Sequence, residues 1–177
     1  MTRIAASVVL MAMAWPSGAA GQTRWEEYLA LPSPENASRV IGIEYSPGAI
    51  PAGYGYLATD LDVLRLQVVA GDAEAFRLTY RLRAQSDGGL LEELTAILAY
   101  AVRPQTELFL REMGSLGAKP SVLESVLMMP GLEYVDRPLA QNYEIAEREK
   151  AIAAVQDPQV RIMRDRCLTL LHRRAGI

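Results

Sequence analysis

Residues 60–114 read DLDVLRLQVVAGDAEAFRLTYRLRAQSDGGLLEELTAILAYAVRPQTELFLREMG, and this stretch decides the fold. Leu61, Leu64 and Val68 recur at helical spacing, with Val63, Leu66 and Val69 widening the apolar face, which predicts a helix buried on more than one side. Gly71 ends it, because glycine enters the left-handed region without a Cβ penalty. Asp72 follows at once and can accept bonds from the free amides of the next helix. A stop and a start with nothing between them predict a tight helical hairpin. The second helix carries Ala73, Phe76 and Tyr80 on one row and Leu78 and Leu82 on the next, with Glu74, Arg77, Arg81 and Gln85 opposite. Asp87-Gly88-Gly89 predicts a break. The third helix repeats Leu90, Leu91, Leu94, Ile97, Leu98 and Ala101, with Glu92 and Glu93 placed in its first turn, where the helix dipole favours negative charge. Pro104 opens a fourth, with Leu108, Phe109 and Met113 inward, Glu107 paired to Arg111, and Gly114 as its stop.

Helix, tight turn, helix, break is the unit of an α-solenoid, and the breaks at Asp60, Gly88 and Lys119-Pro120 fall about thirty residues apart. From Asp60 to Val155 the chain resembles HEAT and armadillo repeat proteins, in apolar spacing and not in any diagnostic residue. The resemblance implies stacked hairpins with a concave face suited to holding another protein. An irregular helical bundle produces the same spacing. The expected fold class is therefore all-α, with stacked antiparallel helical hairpins, α-solenoid-like or bundled, after an N-terminal signal segment.

The segment at the start carries that last expectation. Arg3 is followed by an apolar run from Ile4 to Trp15, a Pro16-Ser17-Gly18 breaker and small residues at Ala19-Ala20-Gly21, in the order of an export signal. The run is too short to span a bilayer comfortably. The expected organisation is a signal peptide over 1–21 and a single helical domain over 22–177. Within it, short helices and a Tyr/Gly/Pro loop occupy 22–58 and stacked helices 59–177. The product is expected to be periplasmic or extracellular, with no transmembrane anchor in the mature chain. Cys167 is the only cysteine of the 177 residues, so no internal disulfide is available and stability must come from the core. Half the residues are hydrophobic and the formal net charge is -3, which argues against disorder and against nucleic acid as a partner.

In the flanks, Thr23 and Glu26 have capping-box spacing before Trp25, Tyr28 and Leu29, and Ser33-Pro34 predicts a second short helix to Ile41. Pro120 to Met129 reads as a helix. Asp136 with Pro138 starts a long polar helix to Gln156, with Glu144 and Arg148 as a surface pair. Asp157-Pro158 caps a last helix whose inner row is Val160, Met163, Cys167, Leu170 and Leu171.

Between the short helices and the hairpins, residues 44–58 hold Pro47, Pro51, Gly48, Gly53 and Gly55, interleaved with Tyr45, Tyr54 and Tyr56. Long irregular loops often carry function. The three tyrosines are the candidate binding residues, against a plainer reading in which they pack the loop onto the helices. Gly53, Gly55 and Ala58 match a phosphate fingerprint, but no strand precedes them. His172 is the only histidine, and no metal site or cofactor is expected. Cys167 falls on an apolar row, where a thiol acts as a small hydrophobe, so no Cys–His dyad is expected. Glu26-Glu27 and Glu92-Glu93 point in different directions on their helices and share no site. No catalytic residue emerges. The sequence leaves catalysis open and points away from it.

The leading expectation is an exported, noncatalytic helical-repeat protein that binds another protein. The alternatives are an enzyme or small-ligand binder with the 44–58 loop as a pocket wall, and an envelope-associated structural protein. If 1–21 is a signal peptide, N-terminal sequencing of exported protein will begin near Gln22. An intact Met1 in the exported material would overturn the assignment.

Overall fold

The computed structural model describes residues 24–41, 54–129, 134 and 136–175, and every regular element among them is a helix. In chain order these are α1 (Arg24–Ala30), α2 (Pro34–Ile41), α3 (Tyr54–Ala70), α4 (Ala73–Ala84), α5 (Gly88–Tyr100), α6 (Thr106–Ser115), α7 (Pro120–Met128), α8 (Pro138–Ala154) and α9 (Arg161–Ala175). A 3₁₀ turn, Pro158–Val160, leads into α9. The all-α expectation holds for the described residues. The signal segment, 1–21, and Thr23 lie outside them.

Local signals form most of these helices. Gly71 takes φ +92°, and Asp72 accepts from the amides of Glu74 and Ala75 at 2.8 and 3.1 Å, so the α3–α4 hairpin closes as the sequence predicts. The Ser33 hydroxyl accepts from the Asn36 amide at 3.2 Å at the start of α2. The Asp157 carboxylate accepts from the Gln159 amide at 2.9 Å.

Four expectations are corrected. α3 begins at Tyr54 and runs through Asp60, so Asp60 is no break and residues 54–58 are not loop. A glycine such as Gly55 is tolerated in a first turn, whose amides lack intrahelical partners in any case. α5 begins at Gly88, which places Glu92 and Glu93 in its second turn and away from the dipole's end. Gly114 lies within α6, and the left-handed residue that follows the helix is Gly117, at φ +61°. Arg111 leans toward Glu112, at 3.8 Å, and away from the expected pairing with Glu107.

The packing is built on α4 and α5. α4 packs on α2, α3, α5 and α6, while α5 packs on α3, α4 and α7. α9 covers the other end, against α6, α7 and α8. One apolar cluster runs through all of it, including Leu64, Val68, Phe76, Leu94, Leu98, Phe109, Met113, Leu127 and Leu171. Phe76 and Phe109 meet edge to face, with ring centroids 6.2 Å apart. All five residues named for the inner row of the last helix are buried.

Two arginines bridge helices, one at the edge of this core and one inside it. Arg77 of α4 forks onto Glu112 of α6, at 2.7 and 3.2 Å, and also reaches Glu74. Glu112 is only 2% exposed, so the pair gives a buried carboxylate the bidentate partner it requires. The second is Arg148, which the sequence reading placed on the surface with Glu144. It is 1% exposed. Its Nη1 donates to the carbonyls of Val126, Leu127 and Met129 at 3.3, 3.0 and 2.6 Å, and its Nε to Glu144 at 3.2 Å. The last carbonyls of a helix lack the usual intrahelical partners. Here the Met129 amide donates to Val126 at 3.3 Å, and Arg148 of α8 adds donors to Val126, Leu127 and the Met129 carbonyl just beyond α7. Glu144 in turn accepts from Arg103 at 2.6 Å.

Arg148→Met retains much of the side-chain volume but removes the donor to the buried Leu127 carbonyl and the partner of Glu144. It should cost roughly 3–5 kcal/mol in chemical denaturation, as removal of one partner from a buried charged pair does. A midpoint unchanged from the parent would show that the Leu127 carbonyl finds another donor.

Candidate functional site

The tyrosines come first. Tyr54 and Tyr56 sit in the opening turn of α3, with side chains outside the described residues, and Tyr45 lies outside them altogether. Gly55 and Ala58 of the phosphate-like pattern fall in the same helix.

Cys167 and His172 do not come together as a catalytic pair. Cys167 is buried on α9, and burial pushes its thiol up to about 12, far from the thiolate a nucleophile needs. His172 is exposed, with its Nε2 2.9 Å from a Glu149 carboxylate oxygen. Among the described residues no cluster of His, Cys, Asp and Glu is arranged to hold a metal. No helix there is long and apolar enough to cross a membrane.

Arg83 is a half-buried cation held by neutral partners. Its Nε and Nη2 donate to the hydroxyls of Thr95 and Ser125, both at 2.8 Å. Those hydroxyls donate onward to the carbonyls of Leu91 and Val122 at 2.6 and 2.8 Å. Their protons are therefore used, and the arrangement is a clamp joining α4, α5 and α7. Burial lowers the Arg83 pKa.

Two surface features stand out, apart from a mostly polar cleft of about 390 Å³ between the start of α6 and the end of α8, lined by Arg103, Thr106, Ala151 and Val155 among others. The first is on α8, where Leu139 is 85% and Tyr143 64% exposed, one helical turn apart. The pairs Arg103–Glu144 and Lys150–Glu147, both at 2.6 Å, flank this apolar step. The second is a cleft of about 300 Å³ where α3 crosses α5. Its floor is Leu61, Ala96 and Ile97. On its α3 side Arg65 pairs with Asp62 at 2.8 Å and lies over the Tyr100 ring, 5.7 Å from the centroid. On its α5 side stands Glu93.

Sequence reasoning missed both features. Leu139 and Tyr143 drew no attention because two apolar residues on a polar helix look like ordinary scatter; their spacing of four was the available signal. The cleft joins helices that are not neighbours in sequence, so no local pattern announces it. No protein-family model, curated protein or solved structure matches the chain.

Beneath α1, Asp60 is 5% exposed and accepts the Trp25 indole N–H at 3.3 Å, which ties α1 to α3. Burial raises its pKa above the ordinary 3.8, the Trp25 hydrogen bond opposes this, and Glu26 adds to the rise. The folded chain thus holds this proton more tightly than the unfolded one. The contribution is complete below the ordinary carboxylate pKa and is lost as pH rises through the raised value. Asp60→Asn keeps an oxygen for Trp25 and removes the charge. Thermal melts at about pH 4 and about pH 7 should show a smaller loss of stability with pH in the variant than in the parent. An equal or larger loss would place the pH dependence elsewhere.

Proposed function

We propose that the chain is an exported, noncatalytic helical protein that binds another protein through the outward face of α8. The observation that carries this reading is the pair Leu139 and Tyr143, two large side chains left exposed one turn apart and bordered by charge pairs. Exposed apolar side chains scattered singly are ordinary, but adjacent ones with a polar rim suit a partner's apolar patch. Tyrosine is among the residues that contribute most at interfaces. On this reading the helices act as stacked hairpins of the HEAT or armadillo kind, and residues 1–21 are removed on export to the periplasm or beyond. The tyrosines at 45, 54 and 56 belong to the same reading as a second contact region.

A photo-crosslinking amino acid at position 143 of the full chain, expressed in an exporting cell, tests the proposal. Position 143 should give a discrete protein adduct, and Glu124, exposed on α7, should give none. Leu139→Asp should abolish the adduct while leaving the melting temperature within about 2 °C, because an exposed substitution changes stability little. The same adducts from both positions, or none from 143, would overturn it.

A further inference from the structure

The α3–α5 cleft holds one charge that the fold leaves unanswered. Asp62 and Arg65 neutralise each other on the α3 side. Glu93, half-buried on the α5 side, makes no ion pair among the described residues. The cleft therefore carries two carboxylates against one guanidinium. Between them lies the apolar floor, and Glu93, Ile97 and Tyr100 rise along successive turns of one α5 face. A bare inorganic cation gains nothing from such a floor, and an anion meets the surplus carboxylate. At about 300 Å³ the space is at the small end of ligand pockets, suited to one narrow chain.

We propose that this cleft binds an organic cation with an alkyl stem, its ammonium against Glu93 and its stem along Leu61, Ala96 and Ile97. The same chemistry is offered by a free alkylamine and by a lysine side chain on a polypeptide. In either case the ammonium donates to the half-buried Glu93 carboxylate in a charge-assisted hydrogen bond. The apolar floor takes up the methylene stem, as lysine stems are taken up on protein surfaces.

Amide chemical-shift titrations of the full chain with hexylammonium, hexanol and hexanoate separate the contributions. Hexylammonium should give saturable shifts in α3 and α5 and bind at least about tenfold more tightly than hexanol, the gain expected of a charge-assisted bond. Glu93→Gln, a half-exposed substitution, should bring hexylammonium to the hexanol level and leave hexanol unchanged. Arg65→Gln frees Asp62 and should tighten hexylammonium. A lysine-containing peptide that binds more tightly than hexylammonium assigns the polypeptide source, and one that binds more weakly assigns the free amine. Hexanoate binding as tightly as hexylammonium, no shifts at the cleft, or an unaltered Glu93→Gln affinity would overturn the proposal.

Discussion

A helix shorter than about four turns is marginal in water, and its last carbonyls are its weakest point. In this chain the ends of α4, α5 and α6 are closed by the amides that follow them, while other ends draw donors from elsewhere in the fold. Arg148 is the fullest case, with one guanidinium nitrogen serving three carbonyls at and just beyond the end of α7. The same device recurs. Gln105 donates to the Val69 carbonyl at 3.0 Å at the end of α3, and Arg164 to that of Val155 at 2.9 Å after α8. Asn36 donates to the Leu31 carbonyl at 2.9 Å behind α1. Gln105 leaves no room beside Gly71, where a Cβ would come within 3.0 Å of its Oε1. Arginine suits the work because its planar fork offers several donors in fixed directions, whereas lysine concentrates its charge at one point. The excess of Arg over Lys in the composition thus has an architectural use.

This division explains what the sequence made legible. An N-cap is local: Asp72, Asp157 and Ser33 bond to amides two or three residues on, so reading the chain in order finds them. Apolar rows are local too: the inner row of α9 is buried as its spacing predicts, whereas α4 and α5 bury only part of their predicted rows and α5 is buried through the whole run from Leu94 to Ala99. Donors to the C-termini come from nineteen or more residues away for α7, as from Arg148 to Met129, and no window shorter than the hairpin contains both partners. Arg148 therefore looked like a surface residue four positions from an acid. The start of α3 was misplaced for a different reason: Pro51, Gly53 and Gly55 are strong breakers on paper, yet the helix admits Gly55 in its first turn.

Most of the buried polar groups, once placed, are occupied by structure; among the described residues the Tyr28 hydroxyl and the Arg65 Nε are buried without a hydrogen-bond partner. Glu112 answers Arg77, Thr95 and Ser125 answer Arg83, and Cys167 fills the core under α9. What these leave is surface chemistry: an apolar step on α8 and a small acidic cleft at the α3–α5 crossing. Neither has the convergent polar groups of a catalytic centre. Both suit recognition, one by desolvation of apolar area and the other by a single charge beside a greasy floor.

Because α8 supplies the bonds that finish α7, neither helix can fray from that junction alone. Opening the end of α7 exposes the Arg148 guanidinium, and lifting α8 takes the Arg148 donor away from the Leu127 carbonyl. The two helices form one cooperative unit, whose amides should exchange with solvent at a shared rate and not from the ends inward.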